Sequence, residues 1–204
     1  MGISSNHSAL EYLRQSDAVL AKIMERGIVP NWESTHNVFH DLVSCIVEQQ
    51  IHYRSSKKIF AKALERAGIN QLMPANFDTF EQFGLAPLAL SEAKYATLLA
   101  VVEFWRTHSL SFETMSDAEV RATLSTIKGI GPWTIDMILL FTLQRPHVVP
   151  YDDYHLKQIM IGHYALNPKV KLKAQMQAIA EFWGDYSSLA VLYLLASKQF
   201  SKLK

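Results

Sequence analysis

With 204 residues, 49% of them hydrophobic and 19% charged, the chain has ordinary globular composition, which excludes a disordered, fibrous or collagen-like protein. A chain of this length buries roughly 70% of its unfolded surface, so it requires no disulfide or metal staple; one compact domain and two small lobes are both open. The net charge of +1 gives no strong pull toward nucleic acid, and by charge alone the clusters Lys57/Lys58/Lys62 and Lys169/Lys171/Lys173 read as solvated helix faces.

Cys45 is the only cysteine; it has no partner within the chain, and no cluster exists to hold zinc or an iron–sulfur centre. A reducing, intracellular location is expected, cytoplasmic or nucleoid-associated. Met1 to Ala9 lacks the apolar stretch of a signal peptide. The longest apolar runs, Ile135 to Leu143 and Leu189 to Ala196, are too short to cross a bilayer.

In chain order, nearly every periodic segment predicts helix. His36 and His40 stand four apart on one expected helix, beside Asp41. A zinc site needs three or four converging ligands, so no catalytic metal is expected. Val38, Phe39, Leu42, Val43, Ile46 and Val47 form one apolar stripe at helical spacing. Ile59, Ala63, Leu64 and Ala67 repeat it, with Gly68 as a stop. Ser91 caps a helix running to about Arg106. Ser116 and Glu119 form a capping box for the next, which should end near Ile127. Trp133 to Leu143 and Leu189 to Ala196 are apolar almost all round and predict buried helices. Asp136 is a polar interruption, best read as a salt-bridge or capping group. Val148-Val149 is the only strand-like pair, so no substantial sheet is expected.

Two stretches carry chemistry. In Thr126-Ile-Lys-Gly-Ile-Gly-Pro-Trp-Thr one helix ends, Gly129-Ile130-Gly131 turns, and Pro132 stands at the first position of the next. The two glycines permit a tight turn with unusual φ and a close approach of backbone to a ligand; Ile130 pins the turn to the core. The following helix start presents N–H groups suited to a phosphate, with Lys128 as a point charge. About twenty residues on, Pro150-Tyr-Asp-Asp-Tyr-His places two carboxylates where a loop enters a helix. Asp152 is expected to cap that helix, leaving Asp153 at its start.

Together, Lys128-Gly-Ile-Gly-Pro-Trp-Thr, the apolar helix, Arg145-Pro, Val149-Pro150 and Asp153 resemble the 3-methyladenine DNA glycosylase II family of the helix-hairpin-helix superfamily. Ile46-Val-Glu-Gln-Gln-Ile with Ser55-Ser56, and Leu88-Ala-Leu-Ser-Glu-Ala-Lys, extend the resemblance over about Ala9 to Ala196. It implies an all-α, two-lobed fold, with residues 36–125 as a central lobe and 1–35 plus 126–204 as hairpin and terminal helices. The resemblance also implies a site in a cleft between the lobes.

The resemblance implies a monofunctional glycosylase acting on damaged double-stranded DNA as a monomer, with no membrane partner. Such an enzyme extrudes the nucleotide and hydrolyses the N-glycosidic bond. Asp153 takes the place of the essential carboxylate, with Asp152 as second candidate. Trp133, Met137 and Tyr186 are implied in the base pocket, where an aromatic face attracts a cationic base by roughly 0.5–2 kcal/mol. Trp133 stands where bifunctional relatives carry the Schiff-base lysine, so no lyase step is expected. Lys128, Gly129, Ile130, Gly131 and Thr134 are implied at the DNA backbone, with a monovalent cation at the hairpin when DNA is bound; no other cofactor is required. Gln50 and Ile51 are the wedge candidates, and His52 replaces the serine common in relatives. Ser187 and Ser188 follow Tyr186 where many members carry arginine. Two rival readings remain: the same fold acting on hypoxanthine or another neutral base, and a non-catalytic DNA-binding protein.

Overall fold

The computed structural model describes Ile3 and residues 7–31, 33–48 and 53–200; among these there is no strand. The chain divides into two compact units, Met1–Ser34 with Leu139–Lys204, and Thr35–Ile138. The hairpin thus belongs with the central helices, whereas the sequence division at 126 grouped it with the terminal ones. The reason is packing: Val120, Leu124, Ile127 and Ile130 bury their side chains, and the two hairpin helices pack on each other within the central unit.

The central unit is built on α3 (Val38–Glu48). Every residue of its predicted stripe is buried, and each fully buried Val, Leu, Ile or Phe contributes about 1.5–3 kcal/mol. It packs against α4 (Tyr53–Arg66) and α6 (Glu92–Thr107). Phe39 lies edge-on to Phe77 and Trp105, and Phe60 edge-on to Phe80. Short α5 (Phe77–Thr79) runs into a π-helical stretch, Phe80–Leu85. Ser91 caps α6 by accepting from Lys94 N–H. The Ser116–Glu119 capping box opens α7 (Asp117–Ser125), which ends slightly before the expected boundary.

His36 does not share a helix with His40. It precedes α3 with φ 51°, so the pair cannot act as neighbouring ligands on one helix face. His40 Nδ1 instead accepts the Leu72 N–H at 3.0 Å. No group of three or more His, Cys, Asp or Glu among the described residues could hold a metal.

The terminal unit contains α1 (His7–Ser16), α2 (Ala18–Glu25), α9 (Tyr154–Tyr164), α10 (Leu172–Ala180) and α11 (Ser187–Phe200). At the end of the central unit, α8 (Pro132–Met137) is followed by a π-helical stretch, Ile138–Thr142, which continues into the terminal unit. The single buried helix expected over 133–143 is therefore interrupted at Ile138. Within α11, Leu189 to Leu194 are all buried; a helix apolar all round fits, because α2 and α9 both pack on it. No helix of the described residues is long and apolar enough to cross a membrane.

Candidate active site

In the central unit, the turn between α7 and α8 is closed by Ile130 N–H donating to Ile127 O at 3.1 Å. Ile130 is 7% exposed, as an anchor should be, while Lys128 and Gly129 are exposed. The two glycines differ. Gly129 has φ +91°, and a Cβ there would stand 2.1 Å from Thr97 Oγ1. Gly131 has φ −99° and ψ 171°, extended backbone open to any residue, and its Cβ would meet nothing within 4 Å. Only Gly129 meets the expectation of unusual φ; the room beside Gly131 is space rather than strain. Pro132 is the first residue of α8, where its missing N–H costs nothing.

Trp133 and Met137 follow on α8, one turn apart and both half-buried. Thr134 is 2% exposed. Its side chain faces the core, so its place among the backbone-binding residues can rest only on its main chain. Asp136 forms the ion pair expected of it: Arg121 Nη2 of α7 lies 2.7 Å from its Oδ1, tying the hairpin helices together.

In the terminal unit, the carboxylate loop is held by backbone. Ser188 Oγ accepts Val148 N–H at 2.8 Å and donates to Arg145 O at 2.6 Å, and Ser188 N–H donates to Pro146 O. Ser188 thus fastens the incoming loop to α11. Tyr151 N–H donates to Val149 O, and Asp153 N–H to Pro150 O, forming the turn into α9.

Here the capping assignment reverses. Asp153, not Asp152, is the cap: its Oδ1 accepts Leu156 N–H at 2.7 Å, and the helix begins at Tyr154. Asp152 lies one residue too early; it is exposed and pairs with Lys157 at 3.5 Å. Asp153 is 7% exposed. A buried acid held by a helix N-terminus combines fixed orientation with a favourable position for negative charge. Beside it, Tyr151 carries Lys173 Nζ 5.9 Å from its ring centroid; burial, and then Glu181, raise the Tyr151 pKa.

Tyr186 ends a 3-10 turn, Glu181–Tyr186. It is half-buried, its ring centroid 5.3 Å from that of Tyr12. Gln50 and Ile51 lie outside the described residues. Sequence reasoning missed Asp17, a buried carboxylate that receives bonds from Tyr164 and Trp183. The pattern Asp17-Ala-Val-Leu signals a helix cap but does not name partners so distant in the chain.

Among the described residues the chain is all-helical, with a Gly-Ile-Gly-Pro turn between two helices and a buried Asp cap downstream, and its fold is that of solved DNA glycosylase structures. The crystal structure of Schizosaccharomyces pombe 3-methyladenine DNA glycosylase (Mag1) in complex with abasic DNA superposes with TM-score 0.75 at 23% identity, covering 96% of this chain and 97% of that one. In sequence the chain is similar to proteins named DNA-3-methyladenine glycosylase. It is 25% identical over 164 residues to S. pombe DNA-3-methyladenine glycosylase 1, covering 76% of this chain and 70% of that one. It is 28% identical over 171 residues to the Bacillus subtilis protein YfjP, covering 79% of this chain but only 59% of YfjP. No family model matches the chain.

Proposed function

We propose that the chain is a monofunctional DNA glycosylase that flips alkylated bases of the 3-methyladenine type out of duplex DNA and hydrolyses their N-glycosidic bond, leaving an abasic site. The observation that carries this reading is Asp153: a carboxylate 7% exposed, fixed as the cap of α9, in a chain homologous to enzymes named for this activity.

The chemistry asks little of the protein. An alkylated purine carries positive charge, so the bond to its sugar is already weakened. As the base departs with the bonding electrons, C1′ becomes cationic; a water oxygen then bonds to C1′ and gives up a proton. Asp153 stabilises the cationic sugar by its charge, or accepts that proton. Its bond to Leu156 N–H holds one oxygen and thereby sets the direction of the other. Trp133 and Met137 offer an apolar, partly aromatic face for a flat cationic base, and Tyr186 is assigned as a further base contact. With Trp133 at its position no amine attacks the sugar, so the product is a free abasic site without strand cleavage.

Lys128 and the main chain of Gly129 to Thr134 are assigned to the DNA backbone. The main-chain carbonyl oxygens of the Lys128–Gly131 turn, with no carboxylate among them, would hold a weakly bound monovalent cation, which would supply positive charge for a DNA phosphate. All assigned residues lie on one chain, so a monomer suffices.

The test uses the purified chain, a panel of oligonucleotide duplexes bearing alkylated and neutral lesions, and the Asp153→Asn variant. Release of alkylated bases, lost in the variant and yielding no borohydride-trapped adduct, is expected. Failure to release any base, or undiminished release by Asp153→Asn, overturns the reading.

A further inference from the structure

Asp17 is a buried carboxylate of the terminal unit that accepts four hydrogen bonds. At 7% exposure, its Oδ1 accepts Val19 N–H at 2.8 Å and Leu20 N–H at 3.1 Å, capping α2. Its Oδ2 accepts two further donors from far along the chain: Tyr164 Oη–H at 2.7 Å and Trp183 Nε1–H at 2.8 Å. Trp183 is fully buried. Burial, then the bond to Asp17, pushes the Tyr164 phenol well above its ordinary pKa.

The location of these donors gives the cluster its meaning. Tyr164 is the last residue of α9, the helix that Asp153 caps at its other end. Trp183 sits in the turn that ends at Tyr186, one residue before a kink at Gly184, where φ is 50° and ψ −129°. Beyond the kink, Ser187 Oγ donates to Gly184 O at 2.8 Å. The turn is thus pinned before the kink by Asp17 and after it by Ser187, and Tyr186 lies between the two pins. Tyr12, from α1, rests on the Tyr186 ring. One carboxylate therefore fixes both the far end of the Asp153 helix and the near end of the Tyr186 turn.

We infer that Asp17 is a positioning residue for base excision, acting through its bond to Trp183 to set where the Tyr186 ring stands. The inference rests on the proposed glycosylase activity and goes beyond it. Asp17 touches no reacting atom; it fixes the turn that carries a base-contacting side chain. Displacement of such a group slows the chemical step more than it weakens binding to the product site.

The experiment compares the wild type with Asp17→Asn, Trp183→Phe, Tyr186→Ala and the doubles Asp17→Asn/Tyr186→Ala and Trp183→Phe/Tyr186→Ala. Asparagine keeps an oxygen for the α2 cap but presents an amide to the indole N–H; phenylalanine removes the same bond from its other side and leaves the cap intact. Single-turnover release from a duplex with one alkylated purine and the Kd for an abasic-analogue duplex are read well below each variant's Tm. Expected are release rates on the order of tenfold lower in Asp17→Asn and Trp183→Phe, with Kd within about twofold of wild type. Neither substitution should slow Tyr186→Ala further, because both act through that ring. If Asp17→Asn does not fold, Trp183→Phe and its double carry the same test. Unchanged release, a proportional loss of affinity, or additivity with Tyr186→Ala overturns the inference. A wild type that releases no base fails the glycosylase reading itself and this inference with it. An active wild type with unimpaired variants fails the inference alone.

Discussion

Asp153 does two things that separate cleanly by substitution. As the cap of α9 it needs an acceptor oxygen for Leu156 N–H; as the proposed catalyst it needs a negative charge. Asparagine supplies the first without the second, and caps a helix about as well as aspartate. Asp153→Asn should therefore melt close to wild type while base release falls on the order of 100-fold or more. Asp153→Ala loses the cap as well, about 1 kcal/mol, which lowers Tm by roughly 2–4 °C in a chain of this size. Thermal melts beside release assays check this. An asparagine variant as destabilised as the alanine one would mean that the charge itself holds the loop, and a loss of release could then no longer be assigned to chemistry. Asp152, exposed and paired with Lys157, serves as the control: Asp152→Asn should change neither measurement by much.

At the scale of elements, the hairpin makes a prediction that sequence alone would have made wrongly, because it treats the two glycines alike. Gly129→Ala forces a side chain into φ +91° and against Thr97. The cost should exceed about 1 kcal/mol and show as a lower denaturation midpoint. Gly131→Ala adds a methyl to open space on extended backbone, so stability should hold to within about 0.5 kcal/mol. If a DNA phosphate approaches the main chain there, affinity for duplex should nevertheless fall. Equal destabilisation of both variants would contradict this geometry. The contrast marks what the sequence could convey. The stripe of α3 and the Ser116–Glu119 box were legible because their interactions span three or four residues. So was the salt-bridge reading of Asp136, since an acid on an apolar helix needs a partner. The interruption at Ile138 was not, because apolar periodicity is the same for an α- and a π-helical turn. The cap assignment failed by one residue, since either of two adjacent aspartates satisfies the local pattern and only the turn from Pro150 decides between them. Asp17 and Ser188 were illegible for a different reason: their partners lie 166 and 43 residues away at the extremes, and only the folded chain brings them together.

Taken as a whole, the molecule carries a histidine with lowered pKa in each of its units, and both push stability the same way with pH. In the central unit His40 accepts the Leu72 N–H at 3.0 Å and lies edge-on to Phe60; burial lowers its pKa below 6.5, with Asp41 opposing. In the terminal unit His163 is lowered by burial and then by Arg26. A base whose pKa is depressed by folding is neutral in the native state while the unfolded chain already binds a proton. Between the folded and unfolded values the unfolded state therefore holds more protons, and stability rises with pH. The contribution is intact above about 6.5 and lost progressively as pH falls toward the folded values. The Glu119 capping-box carboxylate, whose pKa is lowered from 4.5 by its bonds to Ser116, acts in a separate and more acidic window. Tm should accordingly drop between about pH 7.5 and 5.5, before carboxylate protonation begins. His40→Gln should melt lower than wild type at the higher pH, having disturbed the Leu72 bond, yet lose less Tm on acidification because the titration of His40 is gone. A variant whose Tm falls as steeply as that of wild type over this range would show that His40 takes up its proton equally in the folded and unfolded chain, which its role as acceptor for Leu72 N–H does not allow.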